Sequence, residues 1–504
     1  MIKNPKRILT RSVAVVLLSH GLASSWAAEL NPNLSDATFN TRGGNGVLQS
    51  NTGFNNTGFG YNALISNTTG TANTASGSKA LFSNTIGNNN TATGERALFT
   101  NSSGTNNTAT GASALFSNTT GTSNTATGSS ALLRNTTGNS NTARGTGALG
   151  ANTTGSENTA TGGAALSTNT TGNNNTANGS QALLFNTTGS NNSAIGMNAL
   201  SSNATGGFNT ATGTSALLRN TIGQANTASG GAALFANTTG SNNTASGFSA
   251  LGSNTTGAGN TANGYRALFG NTTGSDNTAL GREALVNKTI GNSNLALGTN
   301  AGRNLTSGTN NIYIRHPAVT VESNTIRIGD IAHTRTFLAG VRGRTTGTAN
   351  AIAVVIDSNG QLGTLNSSER FKTDIQDMNE ASHRLLELRP VTYHYKQDRE
   401  AGNDSLEYGL IAEEVDKVYP DLVAHDNDGN IETVQYHKLT PMLLNEVQRL
   451  NVSLREQAEK NQALEQEVVT LKQQMEVVQT QALLIEALTA RLSRLENRDD
   501  LAAR

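Results

Sequence analysis

Asn73-Thr74-Ala75-Ser76-Gly77-Ser78-Lys79-Ala80-Leu81-Phe82-Ser83-Asn84-Thr85-Ile86-Gly87-Asn88-Asn89 runs directly into Asn90-Thr91-Ala92-Thr93-Gly94-Glu95-Arg96-Ala97-Leu98-Phe99-Thr100-Asn101-Ser102-Ser103-Gly104-Thr105-Asn106, one pattern written twice. The frame Asn-Thr-Ala-x-Gly-x-x-Ala-Leu-x-x-Asn-Thr-Thr-Gly-x-x recurs every 17 residues without a slip, and Asn opens all 16 copies from Asn56 to Asn311. A fixed period of this length specifies a solenoid, because each copy is too small to bury a face alone and must stack on its neighbours. Low-complexity composition by itself suggests disorder, but disordered sequence has no reason to keep alanine at the eighth position from Ala63 to Ala301 and glycine at the fifteenth from Gly70 to Gly308.

Within a copy, Asn73-Thr74-Ala75-Ser76-Gly77 alternates as a strand does. The third position stays small and is predicted to point inward; the fourth varies from Thr93 to Arg144 to Ile195 and is predicted to point outward. Gly77 and Gly87 mark corners where positive φ or a tight backbone approach excludes a Cβ. The expectation is a thin, alanine-lined rod, about 70 Å long at about 4.8 Å per rung. The Asn and Thr ladders are expected to hydrogen-bond along the stack and to offer a polar surface to glycans or other cell surfaces. The triplets Ala80-Leu81-Phe82, Ala97-Leu98-Phe99 and Ala114-Leu115-Phe116 put an apolar stripe at one phase. That stripe is expected to be partly wet on a lone rod and to pack against two further chains as a homotrimer; the alternative is that Leu and Phe fill the interior of a monomer.

The sequence has no cysteine, which excludes disulfides and thiolate metal sites, and its formal net charge is +0, with no basic stripe for nucleic acid. Neither a cofactor nor a metal is expected; His383, His394, His425 and His437 lack metal-ligand spacing. At the start, Lys3, Lys6, Arg7 and Arg11 precede an apolar run over residues 13–18 and Ser25-Trp26-Ala27, which predicts a signal peptide over residues 1–27 and a secreted or cell-surface address. No later segment is long enough to span a membrane. A polysaccharide depolymerase would need paired carboxylates, and the repeats offer only Glu95, Glu157, Asp276 and Glu283.

The predicted organisation is a lead-in over 28–55, repeats over 56–312, a β connector over 313–366, a small α+β domain over 367–442, a coiled coil over 443–497 and a tail over 498–504. In the connector, Asp357-Ser358-Asn359-Gly360 is a strong turn signal before Gln361-Leu362-Gly363-Thr364. From Leu443 onward, apolar residues such as Val447, Leu450, Leu454, Leu464, Val468, Leu471, Met475 and Val478 fall at coiled-coil spacing, with Asn461 on the seam.

Two stretches resemble known families. Asn192-Ser193-Ala194-Ile195-Gly196 and Asn294-Leu295-Ala296-Leu297-Gly298 resemble the head repeats of trimeric autotransporter adhesins, which implies a three-chain parallel β-roll. Ser367-Ser368-Glu369-Arg370-Phe371-Lys372 closely resembles the processing motif of the endosialidase-type intramolecular chaperone domain. Further likeness lies in Arg389-Pro390-Val391-Thr392-Tyr393, Tyr408-Gly409-Leu410-Ile411-Ala412-Glu413-Glu414-Val415, Tyr419-Pro420-Asp421-Leu422-Val423 and Tyr436-His437-Lys438-Leu439. Ser368 departs from the family, many members of which carry aspartate there. This resemblance implies a trimerisation chaperone that cleaves itself off at Asn366-Ser367, with Ser367 as nucleophile, Lys372 as base and Arg370 lowering the affinity of Lys372 for its proton. Such a domain is a single-turnover serine peptidase on a tail-fibre-like or adhesin fibre; the alternative is an uncleaved fibre that keeps the domain as a permanent foot.

Overall fold

The computed structural model describes residues 38–396, apart from 343, 345 and 349, and residues 405–502, with side chains described up to 497. The expected signal peptide lies outside the described residues. The chain divides into two compact units, Met1–Phe337 and Leu338–Arg504.

The first unit is a parallel β-solenoid whose 18 strands, from β1 (Thr41–Gly43) to β18 (Ile326–Ile328), form one sheet. Each strand pairs with the next a full coil later and in unbroken register, as in Ala75 with Ala92 and Ala92 with Ala109. The stack therefore extends past both ends of the strict repeat, from within the expected lead-in into the expected connector. Third-position alanines point inward and are fully buried, while their neighbours on the strand lie outside.

Two asparagine ladders run up the interior. Asn90 donates its backbone N–H and its side-chain amide to Asn73 Oδ1, at 3.0 and 3.1 Å, and its amide also reaches Gly104 O at 2.9 Å. Twelfth-position residues form the second ladder, in which Asn84 donates to Asn67 Oδ1 at 2.7 Å and to Gly87 O at 3.0 Å. These side chains are fully buried, so the repeat supplies in each coil the partners that burial demands. Thirteenth-position hydroxyls add a third ladder nearer the surface, with Thr119 Oγ1 donating to Thr136 O at 3.1 Å.

The apolar stripe differs from its expected exposure. Ala80 and Leu81 are both fully buried within the single chain, and Phe82 is half-buried, its ring stacked on Phe99. Strand alternation does not apply past Gly77, because Lys79 and Leu81 have φ of 58° and 51° and these left-handed steps turn consecutive side chains into the coil. Leucine in this conformation costs roughly 1–2 kcal/mol per residue, and burying its side chain gives back about 1.5–3 kcal/mol. Ala and Leu of the stripe thus belong to the coil's own core, and only its Phe82, Phe99 and Phe116 members stay partly exposed.

At its C-terminal end the solenoid shortens its turn. Ile312 pairs with Ile326 after 14 residues instead of 17. In β17 (Ile312–Ile314), fully buried Tyr313 takes the register of Ala296 and donates its hydroxyl to Glu322 Oε1 at 3.0 Å. Arg327 Nε closes on Glu322 Oε2 at 2.9 Å, so a tyrosine, a carboxylate and a guanidinium finish the alanine column.

The second unit opens with a hairpin, β19 (Val355–Ile356) against β20 (Leu362–Gly363), turned at the expected Asp357-Ser358-Asn359-Gly360. A 3₁₀ helix over Asn379–Glu387 follows, then β21 (Val391–Tyr393) paired with β22 (Glu407–Gly409). Helix α1 (Ala412–Val418) leads to β23 (Val423–His425) and β24 (Ile431–Val434), and α2 (Tyr436–Ala502) runs for 67 residues. Because α2 begins at Tyr436, the expected boundary at 443 falls inside one continuous helix. Leu385, Val415, Leu422, Val423, Val434 and Met442 form the core of this unit, so the first turns of α2 belong to that domain. Beyond it, Val447, Leu454, Leu464, Leu471 and Met475 are exposed in the single chain. Among the described residues no helix is long and apolar enough to cross a membrane.

Candidate functional site

Between the hairpin and the 3₁₀ helix lies the segment that the processing motif singled out. Ser368 is extended, and a single 3₁₀ turn over Glu369–Phe371 follows it. Phe371 N–H donates to Ser368 O at 3.0 Å and Lys372 N–H to Glu369 O at 2.9 Å, which fixes the path of the backbone from Ser368 to Lys372. Asn366, Ser367, Ser368, Arg370 and Lys372 are all exposed. The Arg370 guanidinium stacks over the Phe371 ring, 4.6 Å from its centroid, and so faces the ring and not Lys372. Among the described residues no hydrogen bond joins Ser367 to Lys372. The site therefore has the expected residues on one short turn but, within one chain, not the contact that would activate the serine.

Behind it, the stretches that carry the family likeness build the scaffold. Arg389 closes a two-pronged ion pair on Glu414 of α1, Nη2–Oε1 2.6 Å and Nε–Oε2 3.1 Å, and this holds the Glu414 carboxyl below its ordinary range. Leu410 N–H donates to Tyr436 Oη at 2.9 Å, joining the end of β22 to the start of α2. The hairpin turn is pinned to the same domain: Asn427 donates its amide to Ser358 O at 3.0 Å.

One cluster escaped the sequence reading. Ser382, fully buried, donates to Glu446 Oε1 at 2.6 Å and accepts from Asn445 Nδ2 at 2.6 Å. Arg449 bridges Glu446, at 3.1 Å, and Glu380, at 2.9 Å. These groups clamp the 3₁₀ helix that follows the processing segment onto α2. The signal was an unpartnered Asn445-Glu446 pair beside the apolar Val447, but partners more than 60 residues away are not written in any local spacing.

Residues 367–424 match the model of a protein family described as chaperone of endosialidase. The matched region starts at Ser367 and covers the turn, the 3₁₀ helix, β21, β22, α1 and the beginning of β23. No curated protein and no solved structure matches the chain.

Proposed function

We propose that the chain is a subunit of a secreted, homotrimeric, tail-fibre-like or surface fibre, and that the region from Ser367 onward is an intramolecular chaperone removed by self-cleavage. The observation that carries this reading is that the match to the chaperone family begins at the residue the motif assigns as nucleophile. Ser367 Oγ attacks the carbonyl carbon of Asn366 while Lys372, as base, takes the hydroxyl proton. The Asn366 acyl group moves to Oγ as an ester, and the proton passes to the departing amine, which becomes the new N-terminus. Water then hydrolyses the ester, leaving a carboxylate on Asn366.

Supporting the assembly role, α2 presents apolar residues at coiled-coil spacing that are exposed among the described residues. A bundle of three such helices raises the local concentration of the chains before the slow pairing of the β coils. With the template cut away, the rod persists through its slow unfolding. Glycans or other surfaces on the host side are the partners proposed for the rod.

Denaturing gels and intact masses of the wild-type chain, Ser367→Ala and Lys372→Ala test the chemistry. A fragment starting at Ser367 in the wild type and absent from both variants is expected; a full-length wild-type chain overturns cleavage. That outcome leaves the permanent trimeric foot, which the lack of contact between Ser367 and Lys372 in the single chain favours as second reading. The depolymerase reading is the least favoured, since the repeats offer only Glu95, Glu157, Asp276 and Glu283, and the first two lie several coils from the rest.

A further inference from the structure

Each solenoid strand leaves its first and third side chains outside the coil. On β4 (Thr91–Thr93), β5 (Thr108–Thr110) and β6 (Thr125–Thr127) both are threonine. Register pairs Thr91 with Thr108 and Thr125, and Thr93 with Thr110 and Thr127, so six threonines make a grid of two columns and three rungs. The rung spacing in this part of the rod is set out by a neighbouring ladder. The Phe82, Phe99 and Phe116 rings stack at 4.9 and 5.0 Å, with planes 9° and 1° apart, so successive coils are almost untwisted. Along each strand the two threonines are about 6.6 Å apart. The first column continues from Thr57 to Thr278, interrupted only by Ser193, and across the same coils the second column holds one charged residue, Arg144.

The hydroxyls of this grid differ from those at the thirteenth position of the repeat. Thr119 and Thr136 spend theirs on backbone carbonyls one rung on, at 3.1 and 3.0 Å. Those of the six grid threonines make no hydrogen bond among the described residues. The grid is thus a rigid, uncharged, nearly flat array of threonines, each with a methyl and a hydroxyl group, at two fixed spacings. β-branched rotamers on a hydrogen-bonded backbone keep it ordered before any ligand arrives.

We propose, independently of the reading above, that this threonine face binds ice. A protein partner would call for aromatic and apolar anchors at the centre of the face, and a polyanion for a row of bases; neither is present. A crystalline, uncharged lattice of hydrogen-bonding groups fits both the chemistry and the periodicity. The oxygens of hexagonal ice repeat at comparable spacings along two perpendicular axes. Methyl groups order the water between the rungs and hydroxyls anchor it, so the bound layer continues the lattice of the crystal.

Thermal hysteresis and ice-crystal shaping by the full chain test the proposal, alongside Thr108→Lys/Thr110→Lys in the middle of the grid and Thr120→Lys on a different, exposed turn, each checked for an unchanged β spectrum. Hysteresis with faceted crystals is expected for the wild type and for Thr120→Lys, with most of it lost in the grid variant. A folded wild type that neither shapes ice nor delays its growth overturns the assignment, as does equal loss in both variants. Unchanged hysteresis in the grid variant removes the face from the mechanism.

Discussion

Lys288 places its ammonium on Gly291 O at 2.5 Å and Ile290 O at 3.0 Å, in the position that an asparagine amide fills in the coils before it. The side chain is fully buried, and burial lowers its pKa from 10.5 to about 8. One rung earlier, Asn271 Oδ1 is left buried with no partner, because the ammonium donates to Gly291 O and Ile290 O and not to it.

Lys288→Asn is therefore expected to stabilise the end of the rod by about 1 kcal/mol, by restoring the ladder bond to Asn271 Oδ1. The pH dependence gives a second signature. Between about 8 and 10.5 the unfolded chain keeps a proton on Lys288 that the folded chain has released, so stability rises with pH across that window. Thermal midpoints from pH 7 to 10.5 should show this rise in the wild type and lack the Lys288 part of it in the variant; parallel curves would contradict the assignment.

Asn118 shows what the ladder is worth in mid-rod. Its amide serves Asn101 Oδ1 at 2.8 Å and Gly121 O at 3.0 Å, and its own oxygen accepts from Asn135 at 2.8 Å. Asn118→Ala leaves Asn101 Oδ1 buried without a partner, while Gly121 O keeps Asn107 at 2.8 Å and the Asn135 amide keeps Gly138 O at 2.9 Å, so a cost of roughly 1–3 kcal/mol is expected. Since each coil contacts only its neighbours, hydrogen exchange should report lost protection around residues 101–135 and retained protection in distant coils. A uniform loss along the rod would refute nearest-neighbour stability.

Two glycines with positive φ separate backbone need from chance. At Gly94, φ is 131° and an added Cβ would lie 2.6 Å from Gly111 O, so Gly94→Ala should break the stack locally. At Gly147, φ is 68° and a Cβ would meet nothing within 4 Å. Asn62 and Asn198 adopt the same conformation at that repeat position, with φ of 56° and 57°. Gly147→Asn should leave the thermal midpoint within about 2 °C of the wild type, a change of under about 0.5 kcal/mol.

The contrast between these glycines also marks what the sequence could reveal. An invariant period gave the parallel stack, its register, the inward alanines and asparagine ladders along the stack, because each follows from one residue facing its own copy; that both asparagine columns lie inside the coil and not on its polar surface did not follow. The direction of Leu81 did not follow: strand alternation sends it outward, and only the left-handed backbone at Lys79 and Leu81 sends it in. The repeat also hid its own ends, where Tyr313 and Glu322 replace alanine packing with a polar plug. In the second unit the Asp357-Ser358-Asn359-Gly360 turn was legible as local chemistry. Contacts such as Ser382 with Glu446 depend on how α2 docks, and no local pattern encodes that.

That docking contact carries its own prediction. Glu446→Ala leaves the buried Ser382 hydroxyl without an acceptor and deprives Arg449 of one of its two carboxylates. A cost of about 3 kcal/mol to the second unit is expected, read as faster hydrogen exchange in the 3₁₀ helix over Asn379–Glu387. Exchange unchanged from the wild type would show that the apolar core alone holds this helix on α2.

The last prediction concerns when the candidate nucleophile becomes competent. Ser367 and Lys372 are exposed and unjoined within one chain, and Arg370 is stacked on Phe371, so a single chain lacks a formed dyad. If neighbouring subunits complete the site, cleavage must depend on assembly through α2 even when both residues are intact. Leu471→Pro breaks that helix about 100 residues from the cut, removing a backbone donor and costing roughly 3 kcal/mol of helix stability, while Glu467→Ala changes only a solvated side chain. On denaturing gels the fragment starting at Ser367 should disappear with Leu471→Pro and persist with Glu467→Ala. An equal yield from both would mean that one chain builds its own dyad by rearranging the turn over Glu369–Phe371, and that assembly and cutting are independent events.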